Sequence, residues 1–124
     1  MFPAARTQYL RRFTKEHRMA WIMIVAAGLL EMVWAYSAKQ SNGWTHLGWG
    51  ALTIVASLIS FFLLTFAMKS LPLGTAYVAW TGIGAVGSFI VGIVLLGEPA
   101  GAWRIASAVL VVAGVVGMRL TDGE

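Results

Sequence analysis

The chain has no cysteine among its 124 residues, which excludes disulfides and thiolate metal sites. Charge is nearly as scarce. Only 11% of the residues are charged against 59% hydrophobic, and the mean hydropathy is +0.78. Soluble domains carry about 25% charged residues. The polar surface here is too small to coat a water-soluble globule, so the chain reads as an integral membrane protein. His17 and His46 stand apart from any ligand-like neighbour and read as surface or interfacial residues. No Lys or Arg lies deep inside any apolar run.

The charge that is present is concentrated at one end. Five of the nine Lys/Arg residues (Arg6, Arg11, Arg12, Lys15 and Arg18) fall in the first 18 positions. A pI near 10 would suit nucleic acid, but a nucleic-acid reader needs a patterned basic surface on a folded element. A basic segment directly before a hydrophobic helix is a topology determinant or a lipid-headgroup contact. The first apolar run is too long for a cleaved signal peptide and is followed by further spans.

Four apolar segments predict four transmembrane helices, roughly Ala20 to Ala38, Leu47 to Met68, Leu73 to Leu96 and Trp103 to Leu120. Each is long enough to cross a hydrocarbon core of about 30 Å as a helix. The joints "KQSNGWTH", "KSLP" and "GEPAG" are short, and the tail is "TDGE". A barrel would show short alternating strands instead. Trp21, Trp44, Trp49 and Trp103 fall near span ends, where indoles favour the interface. The expected fold is all-α, a compact bundle of alternating helices. One copy is too small to wall in a substrate path, so a transporter of this size should work as an oligomer.

Topology divides the chain at Met19. Call the side holding the N terminus A and the other side B. From Met19 onward, side A has Lys69 and Arg119 and side B has Lys39 and Arg104. This balance gives no preferred orientation. Adding the basic leader, residues 1–18, favours an N-terminus-in orientation. Either the leader biases insertion of the 19–124 membrane domain, or "MAWIMI" marks the native start and the leader is a translation artefact.

Glu31 is the only Asp, Glu, Lys, Arg or His deep inside a span. A charged residue at the bilayer centre costs roughly 2.5–3.5 kcal/mol on insertion scales. Helical geometry puts Ala27 and Gly28 on its face on one side and Trp34, Ala35 and Ala38 on the other. Span 3 offers Tyr77 and Trp80 one turn apart, with Gly84 and Gly87 continuing that face, and span 2 offers Ser57 and Ser60. A structural carboxyl, protonated and hydrogen-bonded across a helix interface, is one reading. A neutral Gln would do that job at lower cost, however, and no deep cation exists to pair with it. An intramembrane acid of this kind can hold a proton or a cation but hardly both, which is the minimal chemistry of proton-coupled cation exchange.

"GIGAVG" (Gly82 to Gly87) matches the letter pattern of a dinucleotide loop but lacks the strand and βαβ context. Its glycines, Gly82, Gly84 and Gly87, instead permit close helix packing or a kink that lets span 3 bend. Ser107 and Gly114 are seven residues apart on span 4 and fit a close helix seam, between subunits or within one.

From Met19 to Leu120 the chain resembles the small multidrug resistance family of four-helix exporters. "MAWIMIVAAGLLEMVWA" resembles that family's first helix with its glutamate, and "KSLPLGTAYVAWTGIGAVG" its third-helix signature. The quaternary-ammonium exporters follow the glutamate with a Trp-free run and carry "WSGVG"-like sequences. "EMVWA" and "WTGIGAVG" resemble the guanidinium-exporter subtype instead. The resemblance implies an antiparallel, dual-topology homodimer in the inner (plasma) membrane that exchanges protons for guanidinium-type cations without a cofactor or metal. It implies that Glu31 is the shared proton and substrate site, and that Trp34 and Ser60 hydrogen-bond and position its carboxylate. It further implies access beside Gly28, gating and coupling by Tyr77, and a pocket lined by Trp80. Guanidinium suits such a site physically, because its paired N–H donors fit a carboxylate bidentately and indole faces attract it. Alternatives are a polyspecific quaternary-ammonium exporter and a non-transporting membrane subunit.

Overall fold

A computed structural model describes residues 3–121. Met1, Phe2 and the tail beyond Thr121 lie outside them. The described chain folds into four helices in the order α1 (Pro3–Gln40), α2 (Leu47–Ala67), α3 (Leu73–Leu96) and α4 (Ala102–Leu120). All four carry a stretch long and apolar enough to cross a membrane. The bounds of α2, α3 and α4 fall within a residue of those expected from the sequence.

α1 differs. It spans 38 residues, about 57 Å at 1.5 Å per residue, because it continues through the basic leader. Between Ala4 and Ala27 there is neither Gly nor Pro, and Ala, Arg, Gln, Leu, Lys and Glu are good helix formers. Hydropathy marks where the membrane begins, but nothing in the backbone marks a stop there. The exposed side chains of Arg6, Arg11, Lys15 and Arg18 decorate this extension.

The joints have identifiable chemistry. After α1, Asn42, Gly43 and Trp44 all adopt positive φ (48°, 68° and 70°). Ser41 holds this turn: its hydroxyl donates to the Ala38 carbonyl (2.7 Å) and accepts from the Trp44 N–H (3.2 Å). Pro72 precedes α3, where its missing N–H costs nothing. α3 stops at Gly97, in the left-handed conformation, and the next N–H, of Glu98, reaches back to the Gly92 carbonyl (3.0 Å).

The backbones pack in the order α2, α1, α3, α4. α1 lies between α2 and α3, which barely touch each other, and α4 rests on α3 alone. The buried stripe of α2 is Gly50, Thr53, Ala56, Ser60, Leu64 and Ala67, at helical spacing and mostly small. Small residues let helices approach closely in lipid, where van der Waals packing rather than water exclusion drives association. The apolar core gathers at the side-A end, from Trp21 and Ile24 of α1, Leu64 and Ala67 of α2, and Ala76 and Ala79 of α3. α4 buries none of its residues. Its Arg119 guanidinium nevertheless reaches the Trp21 ring of α1, 5.2 Å from the centroid.

Candidate functional site

Glu31 sits where α1 packs tightly on α3, and glycines create the approach. A Cβ added to Gly84 of α3 would collide with the Glu31 carboxylate, and one added to Gly87 would lie 2.9 Å from Met32 Sδ. In return, a Cβ on Gly28 of α1 would lie 2.5 Å from Ile83 Cγ2 of α3. The two helices thus exchange knobs and holes across one seam. Gly82 faces the other way, toward Val115 of α4. Three glycines of "GIGAVG" therefore serve close packing on both faces of α3, which runs as unbroken helix through them.

A buried polar chain fixes the adjoining turn. Trp80 Nε1–H of α3 donates to Ser60 Oγ of α2 (2.9 Å), and the Ser60 hydroxyl donates to the Ala27 carbonyl of α1 (2.7 Å). In an α-helix that carbonyl is also the acceptor for the N–H four residues on, which belongs to Glu31. Fully buried Ser60 thus ties three helices to the turn that carries the acid. Ser57, its competitor in the sequence, points to its own helix and donates to the Ile54 carbonyl (2.9 Å).

The carboxylate itself is left unsatisfied. Glu31 Oε2 is buried and has no hydrogen-bond partner. Arg18 and Lys39, the cations of α1 on either side of it, stand about 20 and 12 Å away along the helix axis. Buried polar atoms are normally paired, so a lone carboxylate oxygen calls for a proton or a visiting cation. Among the described residues no group of three or more His, Cys, Asp or Glu could hold a metal ion.

The geometry departs from the sequence expectations in several places. Ser60 and Trp34 are expected to hydrogen-bond the carboxylate. Ser60 instead spends its hydroxyl hydrogen on the Ala27 carbonyl, because α2 meets the backbone of α1 one turn before the acid. Trp34 is half-buried on the turn after Glu31. Gly28 is closed by Ile83 rather than open beside the acid. Trp80 reaches the network through Ser60, and Tyr77, largely exposed, packs edge-on against Trp80 with centroids 5.6 Å apart. Ser107 is exposed and borders a groove between α3 and α4, beside Ala85, Val86 and Phe89, whereas Gly114 is open. Ser107 donates to its own Trp103 carbonyl, and nothing stands within 4 Å of a Cβ at Gly114. Gly114 therefore takes no part in close packing within the chain. Sequence reasoning missed the Ala27 carbonyl, which no side-chain pattern announces, and the direct pairing of Gly84 with Glu31. The glycine spacing was a signal for the latter.

Four helices long and apolar enough to cross a membrane, with an intramembrane carboxylate lacking a counter-charge, fit a small membrane transporter. Comparison with known sequences gives the particular family. The pattern of the Small Multidrug Resistance protein family matches residues 19–112, so the chain belongs to the small multidrug resistance family and is a transporter rather than an enzyme. It is 57% identical over 104 residues to a guanidinium exporter of Yersinia pestis, covering 84% of this chain and all of that protein. Guanidinium exporters of Shigella flexneri and Citrobacter freundii are 53% and 50% identical over 103 residues, 83% of this chain and 98% of each relative. The spans and these bacterial relatives together assign it to the plasma membrane.

Proposed function

We propose that the chain exports guanidinium and small substituted guanidinium cations in exchange for protons, as an antiparallel homodimer with two Glu31 carboxylates in one site. The observation that carries this is the buried, unpartnered Glu31 Oε2 facing Gly84. A carboxylate in that position takes a proton in one state and a planar cation in the other. Guanidinium supplies paired N–H donors to a carboxylate that has none. The relatives that carry the guanidinium-exporter name support the substrate class.

The polar chain from Trp80 through Ser60 to the Ala27 carbonyl holds the acid-bearing turn, and Tyr77 beside Trp80 couples that turn to the outer surface. α4 is the natural seam for the second copy, because it buries no residue within the chain and Gly114 has nothing opposite it. The residue 19–124 membrane domain carries the whole exchange chemistry, and the basic leader acts on orientation. The test is guanidinium-driven proton flux in liposomes with the wild type and Glu31→Gln. The wild type should exchange and the variant should not.

A further inference from the structure

We propose that a groove between α1 and α2 at the side-A membrane boundary holds an anionic phospholipid, with its phosphate between Lys15 and Lys69. The groove is a cavity of about 540 Å³. Its polar rim is Lys15, Lys69 and Ser70, and its apolar wall is Met19, Met23 and Phe66.

Depth supports a lipid. Lys15 stands one helical turn before the apolar run of α1 begins at Met19, and Lys69 stands two residues beyond the end of α2 at Ala67. Both lysines therefore lie within about one helical turn of the end of the apolar run, at the level of the headgroups. Met19 and Met23 follow Lys15 at one and two helical turns, and Phe66 lies one turn inside Lys69. The cavity thus runs from charged to apolar in the direction of a phospholipid, from headgroup to acyl chain. Both lysines are exposed and available, and the Lys69 ammonium is steadied 5.1 Å above the Phe66 ring. Glu16 also borders the groove, which leaves the rim with an excess of positive charge and one acceptor for a hydroxylated headgroup. Basic pockets between transmembrane helices hold anionic headgroups in this way. A small free anion would use the lysines but leave the apolar wall empty. The family pattern begins at Met19, so half of this clamp comes from the segment that precedes it.

The test is native mass spectrometry of the full chain titrated with phosphatidylglycerol, phosphatidylcholine or inorganic phosphate. Phosphatidylglycerol should bind at a defined stoichiometry. Lys15→Gln or Lys69→Gln should each weaken it about fivefold and the pair more than either, while Arg6→Gln with Arg11→Gln should change it less than about twofold. Circular dichroism with unchanged helical content establishes that the variants fold. Equal weakening by the Arg6 and Arg11 variants would reduce the site to diffuse attraction and overturn the proposal. So would equal binding of phosphatidylcholine, or displacement of the lipid by inorganic phosphate, which would indicate a free-anion site.

Discussion

α1 and α4 are both apolar membrane helices, yet they differ in almost every physical respect. α1 is packed on two sides, carries the only intramembrane acid among the described residues, and receives a hydrogen bond from Ser60 at its Ala27 carbonyl. α4 leans on one neighbour, buries nothing, and leaves Trp103, Leu110 and Val109 largely exposed. Hydropathy alone does not separate two such helices. What separates them is the position of small and polar residues relative to a neighbour. α1 and α3 place glycines opposite bulky partners, whereas Gly114 of α4 has nothing opposite it. In a single chain, α1, α2 and α3 surround the acid-bearing turn, and α4 stays largely exposed beside α3.

The largest expected effect is at Glu31. Glu31→Gln should leave helical content intact and abolish guanidinium-driven proton movement, because the amide can neither release a proton nor neutralise a cation. Persistent exchange in that variant would remove the acid from the mechanism and erase the contrast between α1 and α4.

Next is Gly84→Ala. Its new methyl collides with the carboxylate, so the acid must turn away or α3 must move off α1. Guanidinium affinity should fall at least about tenfold, equivalent to 1.4 kcal/mol, measured by isothermal titration. Gly114→Ala on α4, the same substitution with no partner in the chain, should leave affinity nearly unchanged. Equal effects at the two glycines would show that the α1–α3 seam has no special role.

Ser60→Ala should act more mildly. It removes two interhelical hydrogen bonds and strands Trp80 Nε1–H. Such bonds average about 0.6 kcal/mol in membrane proteins and reach about 1.7, so stability should drop by about 1 kcal/mol in a reversible unfolding assay. Ser57→Ala, whose bond stays on its own helix, should cost less. In the proposed homodimer, a bulky Gly114→Leu on α4 should shift the equilibrium toward monomer without altering the helical spectrum. An unchanged dimer would take that face out of the subunit seam.

Much of this arrangement was legible in the sequence, and the exceptions have physical reasons. Apolar length fixes where lipid begins and ends, which is why Leu73–Leu96 was readable to the residue. The start of α1 was not, since helix propensity continues through Arg6 to Arg18 after hydropathy stops. Glu31 stood out because an acid at that depth has few explanations. Its immediate neighbours were harder to read. Helical periodicity shows which residues share a face on one helix, but it cannot say that Gly84 rather than Trp34 meets the carboxylate. That depends on how far α3 is shifted along α1. The choice between Ser60 and Ser57 likewise turned on the rotation of α2 about its axis. Backbone acceptors such as the Ala27 carbonyl leave no trace in side-chain patterns.

In the proposed exchange one carboxylate serves proton and cation in turn, and the sign of its pH dependence follows directly. Protonation removes the charge that holds the cation, so guanidinium should bind best at high pH and progressively less well as pH falls through the titration of Glu31. The most direct measurement is guanidinium affinity of the reconstituted protein across that range, with proton release on binding recorded in the same samples. Affinity that falls with pH, matched by protons released on binding, is the expected result. A flat affinity with no proton release would contradict competition at Glu31.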